Sequence, residues 1–365
     1  MRWWHYKSLR VVLFLALFML AGETAVRVRA YLRFGSVDVA GEEMYVADPL
    51  IGKTLRPNFI LRGGVTEVRI NSLGFRGPEI TLDKPPGVCR VLCLGDSVLF
   101  SGGVPNDSYL LTARLENHLR TLLGREVQVI NAGVPGYSIE SSAKLYEHRC
   151  RRLSPDVVVV CQVVNDLTGA LGRAAAGPQG GKAGRPGLGL TVGLRLAEWR
   201  DKNFLIYHLV RKNLTTRLSP LGTGAKCLET LPLEVTDPYE AELTRLVGLA
   251  RRDGCQVALC TAWKAFSPAQ PRQQQHELAT PFFLILPNVS LPALYEGFDR
   301  FNAAVRGVAQ AQGALLVDLA ELIPPDPQLF SDPTHLSAAG HALAGELLAE
   351  QLALSFWGVS PHDVQ

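Results

Sequence analysis

Residues 90–97 read RVLCLGDS, a short apolar run that ends in a turn and a serine. The run from Arg90 to Leu94 predicts a buried strand, and Gly95-Asp96 predicts a tight turn that lifts the Ser97 hydroxyl above the edge of a sheet. Taken alone, GDS is a weak signal, because an ordinary turn has the same composition. It gains weight from three further segments that lie far from it along the chain.

Strand and helix patterns alternate after this segment. Four further strands are predicted, over Val127–Ile130, Asp156–Gln162, Gln256–Cys260 and Ala314–Asp318. Helices are predicted from about Ser108, over Ser138–Arg152, near Asp237–Arg252, near Tyr295–Gln312 and over Ser337–Leu354. Ser337 is the predicted N-cap of the last helix. This alternation is typical of a parallel sheet covered by helices on both faces. Ligand sites in such proteins form where the carboxyl ends of the strands meet, so motifs that follow strands are expected to converge there.

The further segments carry residues that suit ester cleavage. They are Ala132-Gly133, Asn165-Asp166 and the sequence DPTH at Asp332–His335. A hydroxyl is a poor nucleophile at neutral pH, so it needs a histidine to accept its proton, an acid to orient that histidine and donors for the oxyanion. We therefore predict Ser97 as the nucleophile, His335 as the base and Asp332 as the residue that fixes the histidine tautomer.

The predicted oxyanion hole combines the backbone N–H groups of Ser97 and Gly133 with the side-chain amide of Asn165. A glycine lets the backbone come close to a reacting atom, and an amide donor suits a negative oxygen. The alternatives are that Gly133 is only a turn residue and that Asn165 caps the end of a strand. Asp96 and Asp166 are expected to tie the loops together through hydrogen bonds rather than to react.

The order of these blocks resembles the SGNH, or GDSL-type, hydrolases over about Cys89 to Leu354. The resemblance implies a flavodoxin-like three-layer α/β/α sandwich with a parallel sheet, and a serine esterase, lipase or carbohydrate deacetylase without a metal or other cofactor. The substrates implied are esters of acylated carbohydrates or lipids. One departure is Val163, because the third block of the family usually reads GxND. Trp263 and Phe266 are expected to line the acyl or alcohol pocket.

Two alternatives to hydrolysis stay open at this point. An O-acyltransferase that modifies a cell-envelope polysaccharide would use the same triad, with a sugar hydroxyl in the place of water. A non-catalytic glycan-binding scaffold could keep the same fold. The Val163 substitution, which narrows the pocket or shifts the backbone, leaves room for the second alternative, whereas an intact set of Ser97, Asp332 and His335 argues against it.

Residues 1–34 predict a signal anchor and stalk. Arg2, Lys7 and Arg10 precede the apolar run Val11–Gly22, which is shorter than the ~20 residues of a complete membrane span. Our interpretation is an uncleaved membrane helix, with the catalytic domain outside the cytoplasm in the periplasm or at the cell surface. A cleaved signal peptide, which would leave a secreted protein, and a buried core helix are the alternatives.

Residues 35–88 predict an irregular strand-and-loop extension that clasps the edge of a catalytic domain spanning 89–355, and a binding role for this segment is the alternative. Within the extension, NSLGFRG at Asn71–Gly77 resembles a segment that precedes this domain in many membrane-anchored bacterial members of the family. An insertion at about 168–235 interrupts the domain. There, Gly169–Gly193 predicts a mobile surface loop, and Ala197–Leu214 predicts an amphipathic helix that forms a lid, contacts a membrane or packs on the domain.

Charge and cysteine usage narrow the remaining function classes. Lys plus Arg total 37 against 34 for Asp plus Glu, and the basic residues form no clustered helix or stripe, which argues against a nucleic-acid partner. The seven cysteines include no CxxC pair, and most lie in apolar runs. Small buried side chains are therefore favoured over metal ligands or a disulfide framework.

Overall fold

The computed structural model describes residues 2–34, 44–62, 66–176 and 227–360. The predicted amphipathic helix at 197–214 lies outside the described residues, as does the predicted Gly-rich loop from residue 177 onward. Residues 168–176, the predicted start of the insertion, are helical. The boundaries proposed for the extension, the domain and the insertion stay predictions.

Residues Arg2–Phe34 form one helix of 33 residues, α1. Contrary to the expectation of a membrane helix, no helix within the described residues is both long enough and apolar enough to cross a bilayer. The apolar run Val11–Gly22 rises only about 18 Å in a helix, against a hydrocarbon thickness of ~30 Å. After it, the helix turns polar, and Arg27 pairs with Glu23 at 2.8 Å.

Two antiparallel hairpins form the extension. They comprise β1 (Tyr45–Asp48) with β2 (Gly52–Leu55), and β3 (Ile60–Arg62) with β4 (Glu67–Arg69). The extension lies against the catalytic domain: Arg149 pairs with Asp48 at 2.5 Å, and the Glu67 N–H donates to the Pro105 carbonyl at 2.8 Å. These contacts agree with the predicted clasp.

The catalytic domain is built on a five-stranded parallel sheet. Its strands are β5 (Cys89–Gly95), β6 (Val127–Gly133), β7 (Val157–Cys161), β8 (Gln256–Cys260) and β9 (Leu315–Val317), in the order β6-β5-β7-β8-β9. The central strand β7 reads VVVVC, and every residue in it is buried, as expected for a parallel strand covered on both faces. All five predicted strands are present.

Helices cover both faces of the sheet. They are α2 (Ser97–Phe100), α3 (Leu111–Leu123), α4 (Ile139–Leu145), α5 (Val164–Ala176), α6 (Asp237–Arg252), α7 (Arg272–Ile285), α8 (Leu291–Gln312), α9 (Leu319–Leu322) and α10 (Ala338–Trp357), with 3-10 turns at Asp107–Tyr109, Arg151–Leu153 and Pro327–Leu329 and a π-helical turn at Tyr146–Cys150. Alternate residues of β5 face two separate cores. Leu92 and Leu94 pack with α4, α6 and α8, whereas Val91 and Cys93 pack with α3 and α10. The predicted three-layer sandwich is confirmed.

Helices α2, α5, α7 and α9 are additions to the predicted element order, and α8 starts four residues before the predicted Tyr295. Ser290 caps α8 by accepting from the Ala293 N–H, and Pro292 occupies the first turn, where a missing N–H is harmless. Ser337 caps α10 by accepting from the Gly340 N–H, as predicted. Six of the seven cysteines are buried, Cys227 is exposed, and all seven are free thiols.

Candidate active site

Ser97 is the first residue of α2, directly after the carboxyl end of β5. Asp96 caps the helix, since its side chain accepts from the Val98 N–H at 2.9 Å. The turn needs glycine at position 95 because a Cβ there would lie 2.5 Å from the Cys161 carbonyl oxygen and 2.9 Å from Leu99 Cβ. The tight strand-to-helix turn sets Ser97 at the carboxyl edge of the sheet.

The structure brings Ser97, His335 and Asp332 together across 238 residues of chain. His335 Nε2 lies 3.0 Å from Ser97 Oγ, and His335 Nδ1 lies 2.7 Å from Asp332 Oδ2. With a proton on Nδ1, the imidazole donates to Asp332 and is ready to accept the serine proton on Nε2. The other oxygen of Asp332 accepts from the backbone N–H groups of Thr334 and His335 at 3.0 and 2.8 Å, which holds the carboxylate in place.

The segment after β8 holds the loop that carries His335. The Trp263 indole N–H donates to the Thr334 carbonyl at 2.8 Å, and the Ala265 N–H donates to the Pro333 carbonyl at 2.8 Å. Phe266, which was expected to line the pocket, is instead fully buried in an aromatic cluster, with its ring 5.8 Å from that of Phe298.

The charges of the triad support one another. Burial lowers the pKa of His335, but the hydrogen bond that the imidazole donates to Asp332 and the negative charges of Asp332 and Asp96 outweigh it, so the pKa lies above 6.5. Burial raises the pKa of Asp332, and the hydrogen bond and charge of His335, with two backbone N–H groups, bring it below 3.8. The acid therefore stays ionised beside its histidine at neutral pH.

A buried polar network connects the turn after β5 to helices α4 and α5. Asp96 accepts from the Asn165 N–H at 3.3 Å, and Asp166 accepts from the Ile139 N–H at 3.0 Å. The Gln162 amide lies between the two carboxylates, 3.4 Å from Asp96 and 3.1 Å from Asp166. Asp96 and Asp166 thus make hydrogen bonds between loops.

Both carboxyl groups of this network have a raised pKa. Burial raises the pKa of Asp96 to about 6, against the opposing effects of the Val98 and Asn165 N–H groups and the charge of His335. Burial also raises the pKa of Asp166 to about 7, and the nearby Asp96 adds to the effect. The network is therefore an acid pair held mainly by neutral amide donors, and it titrates near neutral pH.

Asn165 lies in the first turn of α5, rather than in a loop. Its side-chain nitrogen donates to the Tyr137 carbonyl at 3.0 Å. Since an amide carries two N–H donors, this bond fixes the group and leaves the second N–H for another acceptor.

The predicted role of Gly133 does not fit the structure. Gly133 is still inside β6, and its N–H donates to the Asn131 side chain at 3.0 Å. It must be glycine for packing, because a Cβ would lie 2.7 Å from the Phe100 nitrogen. Gly133 therefore brings β6 close to α2 instead of offering its N–H to a substrate.

Gly136, three residues later, has a backbone N–H that none of the predictions from the sequence included. It has a φ of +80° in the turn closed by the Tyr137 N–H and the Val134 carbonyl at 3.1 Å. Within residues 2–34, 44–62, 66–176 and 227–360, no acceptor is bonded to the Gly136 N–H. The dipeptide Pro135-Gly136 is a type II turn signal and marks the end of the strand.

A narrow cavity of about 10 Å³ lies between the carboxyl ends of β5, β7 and β8. Its walls are largely apolar: Val98, Val163, Val164, Ala262 and Trp263, with Asp96, Cys161, Gln162, Cys260 and Thr261. Val163, which departs from the family pattern, is a buried core residue and leaves Asn165 in place. Over the described part of the chain, no group of three or more His, Cys, Asp or Glu side chains is arranged to hold a metal ion.

Comparisons with known proteins match residues 93–343 to the GDSL-like lipase/acylhydrolase family. Among solved structures, the chain is similar to the acetylxylan esterase Axe2 from Geobacillus stearothermophilus, at 17% identity and a TM-score of 0.42, covering 74% of this chain and 96% of that one. It is also similar to a putative GDSL-like lipase from Parabacteroides merdae, at 16% identity and a TM-score of 0.42, covering 76% and 100%. No curated protein matches the sequence significantly.

Proposed function

The chain belongs to the GDSL-like lipase/acylhydrolase family, and on that basis we propose that it hydrolyses esters of acylated carbohydrates or lipids through an acyl-enzyme on Ser97. The observation that carries the proposal is the pair of contacts at His335, which lies 3.0 Å from the Ser97 hydroxyl and 2.7 Å from the Asp332 carboxylate. This is the arrangement in which a hydroxyl becomes a nucleophile at neutral pH.

In the acylation step, Ser97 Oγ attacks the ester carbonyl carbon while His335 Nε2 takes the hydroxyl proton. Asp332, bonded to Nδ1, stabilises the imidazolium that forms. The tetrahedral intermediate collapses when the C–O bond to the alcohol breaks and His335 returns the proton to the leaving oxygen. In the second step, His335 takes a proton from water, the hydroxide attacks the acyl carbon, and Ser97 leaves with the proton.

The oxyanion would be held by three donors: the Ser97 N–H, the free N–H of the Asn165 amide and the Gly136 N–H. Asn165 is oriented by the Tyr137 carbonyl, and Gly136 lies one residue before Tyr137 in the same turn. Donors fixed in advance stabilise the charge that develops on the carbonyl oxygen without reorganisation at the moment of reaction.

Small acyl groups are the preferred substrates under this proposal. Asp96 and Val98, the neighbours of Ser97, line the narrow cavity of about 10 Å³, so an acyl chain that extends into it from Ser97 would find little space. Trp263 closes one side and is fixed by its bond to Thr334. Acetyl esters are therefore expected to react faster than esters with long chains.

Active-site labelling and ester hydrolysis test the proposal. The full chain is incubated with a fluorophosphonate probe and, separately, with p-nitrophenyl esters from acetate to octanoate and with acetylated sugars. We expect labelling that is lost in Ser97→Ala, and rates that fall as the acyl chain lengthens. Absence of labelling and of hydrolysis would overturn the proposal. Acyl transfer to an added polysaccharide acceptor, in preference to water, would instead identify an acyltransferase.

We also propose that α1 holds the protein at a membrane, with the catalytic domain outside the cytoplasm. In support, large apolar side chains of α1 are exposed, among them Phe14, Leu17, Phe18 and Leu20. Exposed apolar helices of this kind contact lipid or protein. Fractionation of cells that express the full chain, or the chain without residues 1–34, tests the idea. Recovery of the full chain in the soluble fraction would overturn it.

A further inference from the structure

We propose that Arg76, in the extension before the catalytic domain, is a positioning residue for the nucleophile. Its guanidinium holds the carboxyl-terminal end of α2, the four-residue helix that begins at Ser97. The inference rests on the proposed function, because it concerns how Ser97 is aimed at His335.

Helix α2 is too short to fix its own position. Its closing backbone bonds run from the Phe100 N–H to the Asp96 carbonyl and from the Ser101 N–H to the Ser97 carbonyl, both at 2.9 Å. So few bonds do not offset the conformational entropy lost when a helical turn forms. The orientation of Ser97 therefore depends on contacts at both ends of the helix.

The two ends of α2 are held by different parts of the chain. At the amino end, the catalytic domain supplies Asp96, which accepts from the Val98 N–H. At the carboxyl end, the last carbonyl groups have no partner within a helix. Here the extension supplies Arg76, whose Nη1 donates to the carbonyl oxygens of both Phe100 and Ser101.

Arg76 is itself fixed by further contacts. Its Nε donates to Asp107 Oδ1 at 3.1 Å, and its guanidinium lies 4.8 Å from the centre of the Phe100 ring. Its backbone N–H donates to the Asn131 carbonyl of β6 at 3.3 Å. The guanidinium thus connects α2 with the 3-10 turn at Asp107, and the backbone of Arg76 is bonded to the edge strand of the sheet.

Packing alone does not explain an arginine at this position. The side chain is fully buried, and its Nη2 lacks a hydrogen-bond partner within the described residues. Burying a charge that is incompletely paired is costly, and an apolar side chain of similar volume would fill the space at a lower cost. The carbonyl groups that the guanidinium holds give a reason for it.

Ser101 shows how closely the end of α2 is controlled. It has a φ of +56°, in the left-handed region that few residues other than glycine adopt. Arg76 holds its carbonyl, and the Oγ is hydrogen-bonded to His341 Nε2 from α10. Burial, followed by the charges of Arg76 and His335, lowers the pKa of His341 to about 3, so this imidazole is neutral. The end of α2 is thus held between the extension and the last helix.

Arg76→Lys tests the proposal, with Arg90→Lys as the matched control. Arg90 is also fully buried and also donates to backbone carbonyls, those of Leu82 and Leu153, but it lies at the opposite end of β5. A lysine at position 76 keeps the positive charge but lacks the planar guanidinium that donates to the carbonyl oxygens of Phe100 and Ser101. The full-length variants are compared for the rate of fluorophosphonate inactivation, for kcat and KM on p-nitrophenyl acetate, and for the thermal midpoint.

We expect Arg76→Lys to lower kcat and the inactivation rate about 10- to 100-fold with KM little changed, because a small misplacement of a reacting group costs this much. Arg90→Lys should change the thermal midpoint but leave kcat within a factor of two. If Arg76→Lys does not fold, the Asp107→Asn variant tests the positioning role in its place. Because the guanidinium then loses its counter-charge, we expect kcat to fall about threefold to tenfold.

The outcomes separate this inference from the proposed function. Full rates in folded Arg76→Lys, or equal losses in the two lysine variants, would overturn the positioning role and leave the esterase proposal intact. If Arg76→Lys does not fold, an unchanged kcat in Asp107→Asn overturns it. A wild-type protein that neither reacts with the probe nor cleaves esters would overturn both.

Discussion

Two pairs of carboxyl groups, at opposite edges of the central sheet, are held by different kinds of partner. At the amino edge, carboxylates face cations: Lys84 pairs with Asp156 at 2.6 Å, and Arg151 pairs with Asp253 at 2.5 Å. Beside Ser97 at the carboxyl edge, Asp96 is buried and Asp166 is half-buried, both are hydrogen-bonded to amide donors, and burial raises the pKa of these groups to about 6 and about 7.

The difference separates ion pairs near the surface from carboxyl groups that hold the active site. An ion pair open to solvent contributes little and can be removed at small cost. A buried carboxyl group held by neutral donors is destabilising when it ionises, so its presence requires another explanation. At the carboxyl edge that explanation is the site, where the acids position the turn of Ser97 and the helix of Asn165.

The largest expected effect follows from removing the charge that orients His335. Asp332→Asn leaves the shape of the loop but presents the wrong hydrogen-bond pattern to Nδ1, so kcat should fall about 10³- to 10⁴-fold. At the amino edge, Asp156→Asn should leave kcat within a factor of two. Steady-state kinetics on p-nitrophenyl acetate check both variants, and similar losses in the two would contradict the contrast between the edges.

A smaller loss is expected from the oxyanion donor. Asn165→Ala should lower kcat about 10²- to 10³-fold with little change in KM, since the lost bond forms in the transition state. Asn302→Ala is the matched control, because this buried amide also donates to a backbone carbonyl, that of Ala262 at 2.9 Å. The control should lower the thermal midpoint and keep most of kcat. An unchanged kcat in Asn165→Ala would remove Asn165 from the site.

Glycines extend the comparison to the backbone. Gly133 at the carboxyl edge lacks space for a Cβ, whereas Gly254 at the amino edge has open space and a φ of +84°. Gly133→Ala should destabilise by about 1–3 kcal/mol through overpacking and also lower kcat, since the overlap falls on α2. Gly254→Ala should cost about 1–2 kcal/mol through backbone strain alone and keep kcat. Chemical denaturation and kinetics measure both, and a neutral Gly133→Ala would show that β6 can move away from α2.

Most of the sheet could be predicted from the sequence, because a buried parallel strand is a short continuous apolar run, rich in β-branched residues and bounded by turn residues. Val157–Cys161 is such a run, and its observed bounds differ from the prediction by one residue at each end. Helix α5 was not predicted, since its first turn holds the polar pair Asn165-Asp166, which reads locally as a loop. That turn is stabilised by Asp96, which is 69 residues away in the sequence, and by Gln162, which donates to Asp166 from just before the helix. Neither contact leaves a periodic signal in the sequence.

The same limit applies to the site. The residues Ser97, Asp332 and His335 stood out because each triad part needs a particular side chain, and the structure brings them into contact. A backbone donor leaves a weaker signal, which explains the choice of Gly133 over Gly136. Gly133 lies inside β6, whereas Gly136 lies beyond its end. Only the exact end of the strand separates the two glycines, and composition alone does not locate a strand end to within three residues. The positioning role of Arg76 was not predicted for another reason. The guanidinium donates to backbone carbonyl groups of a turn that is distant in the sequence, and such acceptors carry no side-chain signal.

The smallest expected effect is a pH dependence that tests the electrostatic contrast itself. Burial raises the pKa of Asp166 to about 7, above the 3.8 of the unfolded chain, so the folded state holds a proton that the unfolded state has lost. The contribution of Asp166 to the free energy of unfolding is therefore complete at low pH and is lost as the pH rises toward and through 7. Asp166→Asn, which keeps an acceptor for the Ile139 N–H, should make the free energy of unfolding fall less steeply between pH 5 and pH 8.

Asp48→Asn is the control: burial raises the pKa of Asp48, but backbone N–H groups and Arg149 outweigh this and bring it below 3.8, so the group is ionised throughout the range. Urea unfolding at several pH values measures the slopes, and equal slopes in wild type and Asp166→Asn would mean that ionising Asp166 has no electrostatic cost in the folded protein.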